Sequence, residues 1–401
     1  MVENGVFLKD KIGNRLWMPK KIGEIVQAFG VEKVLLCTDS FLLQTHAAHT
    51  IQRELEERGI NCAVYTQPQS EPTDAQCDEG ARFCKEQEVE LIIALGGGSV
   101  MDQAKTMAAI VTNGLSCCQL DNVSIPKRML PLICIPTTAG TGSEVTFVAV
   151  ITNTKAQYKM TIMDAEHLSP DVALCDPALL ATLPPRLIAS CGVDALTHAI
   201  EAHTSVLANP FSSALALHAM EMISKNLERC WSSPSDMQAQ EAMLLASTMA
   251  GAAFINSDVG AVHAIAETVG VAYHIPHGTA NSLFLPYVME FNRQGNEHCY
   301  SQIAERLGSA CKDSDDVENS RRAICFIQEL IEKLEIPHFS DFSQVNPDDF
   351  EILAERAASN PMSYGNQKPI GKEDYIQILE DAYQNKKFIF EQGCEGGVNY
   401  V

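Results

Sequence analysis

The chain has 401 residues, 46% of them apolar and 20% charged, and a formal net charge of −22 at pH 7. That length exceeds one ordinary hydrophobic core and predicts two domains, while the acidic balance argues against nucleic acid or an acidic membrane as partner. No apolar run approaches the ~20 residues that span a bilayer, the N-terminus lacks a signal-peptide pattern, and the 14 cysteines form no Cys-x-x-Cys pair, so a cytoplasmic protein with reduced thiols is expected.

From Val31 to Glu90 short apolar runs alternate with amphipathic stretches, the pattern of a parallel sheet covered by helices. Val34 to Thr38 reads as a strand ending at Asp39, followed by a helical run through Arg58. Cys62 to Thr66 reads as a second strand and Leu91 to Leu95 as a third. The third enters Gly96, Gly97, Gly98 and Ser99 ahead of a helix. Glycines there let the backbone approach a phosphate, and the amides at the helix start face it; taken alone, such a loop is equally a plain strand-to-helix turn. After the strand Leu132 to Ile135 comes a second loop, in which Thr137, Thr138, Thr141 and Ser143 add hydroxyl groups. Two such loops can grip one dinucleotide. Asp39 is placed to accept hydrogen bonds from ribose hydroxyls and to repel a 2′-phosphate, which favours NAD over NADP. Its alternative role is to cap the helix starting near Ser40.

Leu183-Pro-Pro-Arg186 interrupts regular structure and marks the expected boundary between domains 1–185 and 186–401. Beyond it, Ser213 to Leu227 and Gln238 to Phe254 show helical periodicity and strand-like runs are scarce. Met220, Met222, Met243 and Met249 read as core. Asp194 and His198 stand four apart, on one helix face. His263 lies in a helical pattern, and His277 follows Pro276 and precedes Gly278, residues expected to break the helix and aim the ring inward. One carboxylate with three imidazoles suits Fe(II) or Zn(II) better than magnesium or calcium, although any one histidine alone is more often a surface or core residue. His203, five residues after His198, points to another helical angle and is expected to be structural.

Leu95-Gly-Gly-Gly-Ser-Val-Met-Asp102, Ile135-Pro-Thr-Thr-Ala-Gly-Thr-Gly-Ser-Glu144, Gly192-Val-Asp-Ala-Leu-Thr-His-Ala-Ile-Glu201, Gly260-Ala-Val-His263 and Pro276-His-Gly-Thr-Ala-Asn281 follow one another in the chain. In this order they resemble the iron-containing (group III) alcohol dehydrogenases. The resemblance implies an α/β N-terminal dinucleotide-binding domain plus an all-α C-terminal metal-binding domain, related to the dehydroquinate synthase fold, with cofactor and metal meeting in the cleft between them. It implies Asp194, His198, His263 and His277 as ligands of Fe(II), with Zn(II) as the alternative. NAD(H) is then held by Asp39, Gly97, Gly98, Ser99, Thr137, Thr138, Thr141 and Ser143, with Lys159 approaching the cofactor and Asp102 near its nicotinamide end. Phe147, Phe254 and Met362 line a substrate pocket by the same analogy, and Asp258 adds polarity to it. A homodimer is expected.

Glu267 departs from the pattern, since many members of that family carry histidine there. Four residues after His263, it shares a helix face with that histidine and is expected to point toward the metal, as a proton relay, as a hydrogen-bond partner of a hydroxylated substrate or as a support for a histidine ring; the alternative is that it turns away into a salt bridge. His274, three residues before His277, is a further candidate relay or substitute ligand. The implied reaction interconverts a small primary alcohol and its aldehyde by hydride transfer with NAD(H), assisted by Lewis acidity. Alternatives are a polyol dehydrogenase acting on glycerol or a diol, a reductase of a functionalised aldehyde such as sulfoacetaldehyde, a lyase related to dehydroquinate synthase, or a non-catalytic NAD-binding or filament-forming protein.

Overall fold

The computed structural model describes residues 22–67, 71–156 and 158–388; the N-terminal stretch in which a leader would lie is outside them. The chain forms two compact units that divide between Thr182 and Leu183.

In the first unit α1 (Ile22–Phe29), β1 (Lys33–Asp39), α2 (His46–Glu56), β2 (Asn61–Gln67), α3 (Asp74–Glu86), β3 (Leu91–Gly96), α4 (Gly98–Asn113) and β4 (Leu132–Pro136) alternate, and β5 (Val148–Asn153), β6 (Tyr158–Met163) and β7 (Val172–Ala173) follow. β1, β3, β4, β2 and β7 make one sheet in the order β2-β1-β3-β4-β7, and every pairing in it is parallel. Helices pack on both faces, so β3 and β4 are buried along their whole length. That is why they read as continuous apolar runs with no alternation. Strand order reverses direction between β1 and β3. The loops after β1, β3 and β4 therefore emerge at one edge, where doubly wound sheets hold ligands.

Two local features differ from the sequence reading. The run expected to be helical through Arg58 opens with a short 3₁₀ turn at Leu42–Gln44, and Thr45 is extended before α2 begins. β5 and β6 form an antiparallel hairpin outside the main sheet.

Among its described residues the second unit is helical throughout: α5 (Pro185–Thr204), α6 (Pro210–Ser232), α7 (Met237–Phe254), α8 (Ala261–Tyr273), α9 (His277–Arg293), α10 (Glu297–Leu307), α11 (Asp316–Lys333), α12 (Phe350–Ala358) and α13 (Lys372–Tyr383). Pro184 and Pro185 start α5, with Pro185 at its first position, where the missing N–H costs nothing. From Gly192 to Ala202 every residue of α5 is buried, as expected of a helix surrounded on all sides, and it packs against α6, α7 and α9. No described helix is long and apolar enough to cross a membrane.

Candidate functional site

Three helices of the second unit converge on one point. α5 supplies Asp194 and His198 one turn apart, α8 supplies His263 from its first turn, and α9 supplies His277 as its first residue. One donor atom from each of the four lies within 4.8 Å of every other. Asp194, His198 and His263 are buried, and His277 is the more open member, its side chain 29% exposed. Phe254, the last residue of α7, stacks on the His198 ring with centroids 4.5 Å apart. The helical run does break ahead of His277, since α8 ends at Tyr273, and Ile275 and Pro276 lie between the two helices. Pro276 is the N-cap of α9 and Gly278 is its second residue.

Electrostatics and hydrogen bonding both fit a cation at the convergence point. Burial pushes the Asp194 carboxyl up, but His198, His277, His263 and the Asn281 amide together hold it below the usual carboxylate value. The pocket thus keeps an anion beside groups able to share positive charge. Asn281 Nδ2 lies 2.7 Å from Asp194 Oδ1, 3.2 Å from His263 Nε2 and 3.3 Å from His277 Nε2. An amide has two protons to offer these three acceptors, and its own Oδ1 is buried with no partner. Lone pairs aimed at one point with too few donors among them are what a divalent ion satisfies, and the N₃O set is the borderline chemistry of Fe(II) and Zn(II).

In the first unit the two loops press on each other. A Cβ on Gly98 would meet Thr141 Cγ2 at 2.7 Å, and one on Gly97 would meet Thr138 Oγ1 at 3.3 Å, so glycine is required for this contact as much as for a ligand. No side chain caps the start of α4, which leaves its amide end suited to an anion. Asp39 Oδ1 accepts from the amides of Phe41 and Leu42 at 2.8 and 2.7 Å. Both carboxylate oxygens of Asp102 are engaged within the protein: Oδ1 accepts from Ser143 Oγ at 2.6 Å and Oδ2 from the Val150 amide at 3.0 Å. Fully buried Lys105 completes this knot. It donates to Ser143 Oγ, Thr146 Oγ1 and the Val148 carbonyl at 2.8, 3.1 and 2.7 Å, and burial lowers its pKa despite Asp102 nearby. Lys159 pairs with Glu71 at 2.9 Å, and Phe147 is half-buried just before β5.

The chain belongs to the iron-containing alcohol dehydrogenase family. Residues 18–177 match its "Iron-containing alcohol dehydrogenase" model and residues 188–383 match the "Fe-containing alcohol dehydrogenase family, C-terminal" model. Among its relatives is the NAD-dependent methanol dehydrogenase of Bacillus methanolicus, 34% identical over 90% of this chain and 95% of that protein. Among solved structures, a 1,3-propanediol oxidoreductase superposes with a TM-score of 0.89 at 33% identity, covering 92% of this chain and 96% of the other. The alcohol dehydrogenase from Oenococcus oeni gives 0.87 at 31%, covering 91% and 96%. The protein is therefore an oxidoreductase of the alcohol dehydrogenase and aldehyde reductase type.

The remaining candidates of this iron-family chain lie outside the group of four donors. Glu267 is 9% exposed, one turn beyond His263 on α8, and its Oε2 accepts from Asn360 Nδ2 at 3.4 Å. Met362 lies in the 3₁₀ segment Pro361–Gly365 that packs on α8. Asp258, exposed in the link between α7 and α8, holds a left-handed backbone with φ of 68°, a conformation aspartate tolerates better than most residues. Desolvation by the surrounding chain pushes its carboxyl up, against the pull of the Val259 amide and with a further push from Glu201. His274 is the exposed, left-handed C-cap of α8. Neither His274 nor His203 is among the four converging groups.

Three residues escaped the sequence reading. Glu201 is seven residues after Asp194 and three after His198, hence on their helix face; Asn281 is one turn after His277. Helical spacing counted outward from the four donors finds both. Lys105 has no such signal, because nothing in the local pattern marks a lysine as buried.

Proposed function

We propose that the chain interconverts a small primary alcohol and its aldehyde with NAD(H), in the reducing direction in the cell, using a divalent ion held by Asp194, His198, His263 and His277. The observation that carries this reading is the convergence of those four donors in a buried pocket. Fe(II), or Zn(II) in its place, supplies Lewis acidity there, lowering the pKa of an alcohol or polarising a carbonyl. The protein's own residues do the rest. Asp194 offsets part of the positive charge, and Asn281 orients the Asp194 carboxylate. Phe254 covers the His198 ring and limits water on that side. The Gly97–Ser99 and Thr137–Ser143 loops suit a pyrophosphate, and the name of the methanol-dehydrogenase relative supports NAD as the nucleotide. A cytoplasmic homodimer fits this reading.

A diol or polyol is the second reading, favoured by the exposed Asp258 carboxylate and by Glu267, both acceptors for a second hydroxyl group. The test is anaerobic purification, metal analysis, and NADH oxidation against short aldehydes, diol-derived aldehydes and sulfoacetaldehyde, with and without added Fe(II). Iron-dependent oxidation with one of them is expected. A metal-filled protein that turns over none of them overturns the reading.

Asp39 carries its own prediction. Asp39→Asn keeps an oxygen for the Phe41 and Leu42 amides but removes the charge. The ratio of kcat/KM for NADPH to that for NADH is expected to rise about tenfold, since one charge pair near a surface is worth on the order of 1 kcal/mol or somewhat more. An unchanged ratio leaves Asp39 as a capping residue only.

A further inference from the structure

We infer that Glu201 is the positioning residue that makes His263 a metal ligand, by fixing which ring nitrogen carries the proton; this rests on the metal-site reading above. Glu201 is buried on α5. Its Oε1 accepts from the Val262 amide at 2.7 Å, and its Oε2 is hydrogen-bonded to His263 Nδ1. With Oε1 already accepting from the Val262 amide, the carboxylate acts as an acceptor at both oxygens, and Nδ1–H is the donor to Oε2. The lone pair of His263 is thereby placed on Nε2, the nitrogen that faces Asn281 and the other donors.

What holds the Glu201 carboxylate in this orientation is the start of α8. The Gly260 N-cap offers no side chain to the first amides of that helix. Glu201 takes the Val262 amide, and Asn366 Oδ1 takes the Ala261 amide at 3.4 Å. A carboxylate at a helix N-terminus is favoured by the amide dipoles as well as by the hydrogen bond. The same group therefore caps α8 and sets the tautomer of the histidine two residues inside it. Asp194, His198 and Glu201 lie along one face of α5, so a single helix brings two donors and the support for a third.

Glu201→Gln separates this role from packing. The side chain keeps its size, but one end becomes a donor. If its oxygen stays on the Val262 amide, its NH₂ faces Nδ1 and forces the proton to Nε2, which then cannot ligate. If it flips, NH₂ meets the Val262 N–H donor to donor. Asn366→Ala is the structural control, because it loosens the same helix start without touching His263.

The experiment titrates the metal-free proteins with Co(II) in competition with a chelator, records the Co(II) absorption bands, and follows thermal unfolding and NADH binding. Glu201→Gln is expected to weaken Co(II) binding roughly 10–100-fold and to alter the bands, the scale typical of groups that orient a metal-bound histidine. Asn366→Ala is expected to lower the unfolding temperature while staying within about threefold of the parent Co(II) affinity. Parent-like Co(II) affinity in Glu201→Gln overturns the inference, as does an equal loss of affinity in Asn366→Ala. A parent protein that takes up no Co(II), Zn(II) or Fe(II) removes the metal reading itself. Because binding is read without turnover, failure of the aldehyde assay does not bear on this result.

Discussion

His263→Ala is expected to lose metal and turnover together while leaving NADH affinity within about twofold of the parent, a change under 1 kcal/mol. The ring is one of four donors confined within 4.8 Å, and its loss leaves Asp194 and two imidazoles around a cavity that alanine cannot fill. The loss of metal affinity should exceed the roughly 10–100-fold typical of removing a supporting group. The same change strands Glu201, whose Oε2 partners His263 Nδ1. A buried carboxylate deprived of its partner costs stability, so the metal-free variant should also unfold at a lower temperature. NADH binding, read by nucleotide fluorescence, should change little because the glycine and threonine loops belong to the first unit. Metal analysis, steady-state aldehyde reduction and NADH titration on one preparation check all three parts. Retained metal with full activity would remove His263 from the ligand set.

The fold was largely legible because burial leaves a mark on sequence. β1, β3 and β4 are apolar along their length since both faces of a parallel sheet are covered, and the helices of the second unit carry their period openly. The β5–β6 hairpin was missed although Val148–Asn153 alternates half-buried and buried residues along its length. Its inward positions include Ala149 and Asn153, which are poor hydrophobic markers. Asp194, His198, His263 and His277 were legible as residues, but their supports were not. Glu201 and Asn281 act through helix-to-helix geometry, and helical spacing names them only once the donors are known. Lys105 and Asp102 show the opposite limit. The family resemblance implies a place for Asp102 near the nicotinamide end of the cofactor, and within the protein both its oxygens join the loop knot with Ser143 and the Val150 amide. Only the three-dimensional register of α4 against the second loop reveals that pairing.

Gly278→Ala is expected to cost the second unit about 1–3 kcal/mol, the usual range for overpacking, and to disperse the metal site with it. A Cβ at position 278 would lie 2.5 Å from the Ser190 carbonyl oxygen, 3.0 Å from its carbon and 3.3 Å from Asp194 Cβ. Ser190 belongs to the backbone of α5, so no side-chain rotation relieves the clash; α9 must move away from α5. An opposing gain exists, since alanine exceeds glycine in helix propensity by up to about 1 kcal/mol, but Gly278 is only the second residue of α9, where that gain is smaller. Overpacking should win. In a unit of this size, 2 kcal/mol corresponds to roughly 4–8 °C in unfolding temperature. The functional effect should be larger than the thermal one. α5 carries Asp194 and α9 carries His277, and their closest atoms, Oδ1 and Nε2, are 3.6 Å apart. Separating the helices opens that pair directly, whereas His198 and Asp194 move together on one helix. Calorimetry of the metal-free variant and chelator competition for Co(II) measure the two effects separately. Parent-like values in both would mean that the glycine after His277 is not what sets the distance between these helices. A large loss of affinity with a small thermal change would show that ligand spacing responds more sharply than stability to the approach of α5 and α9.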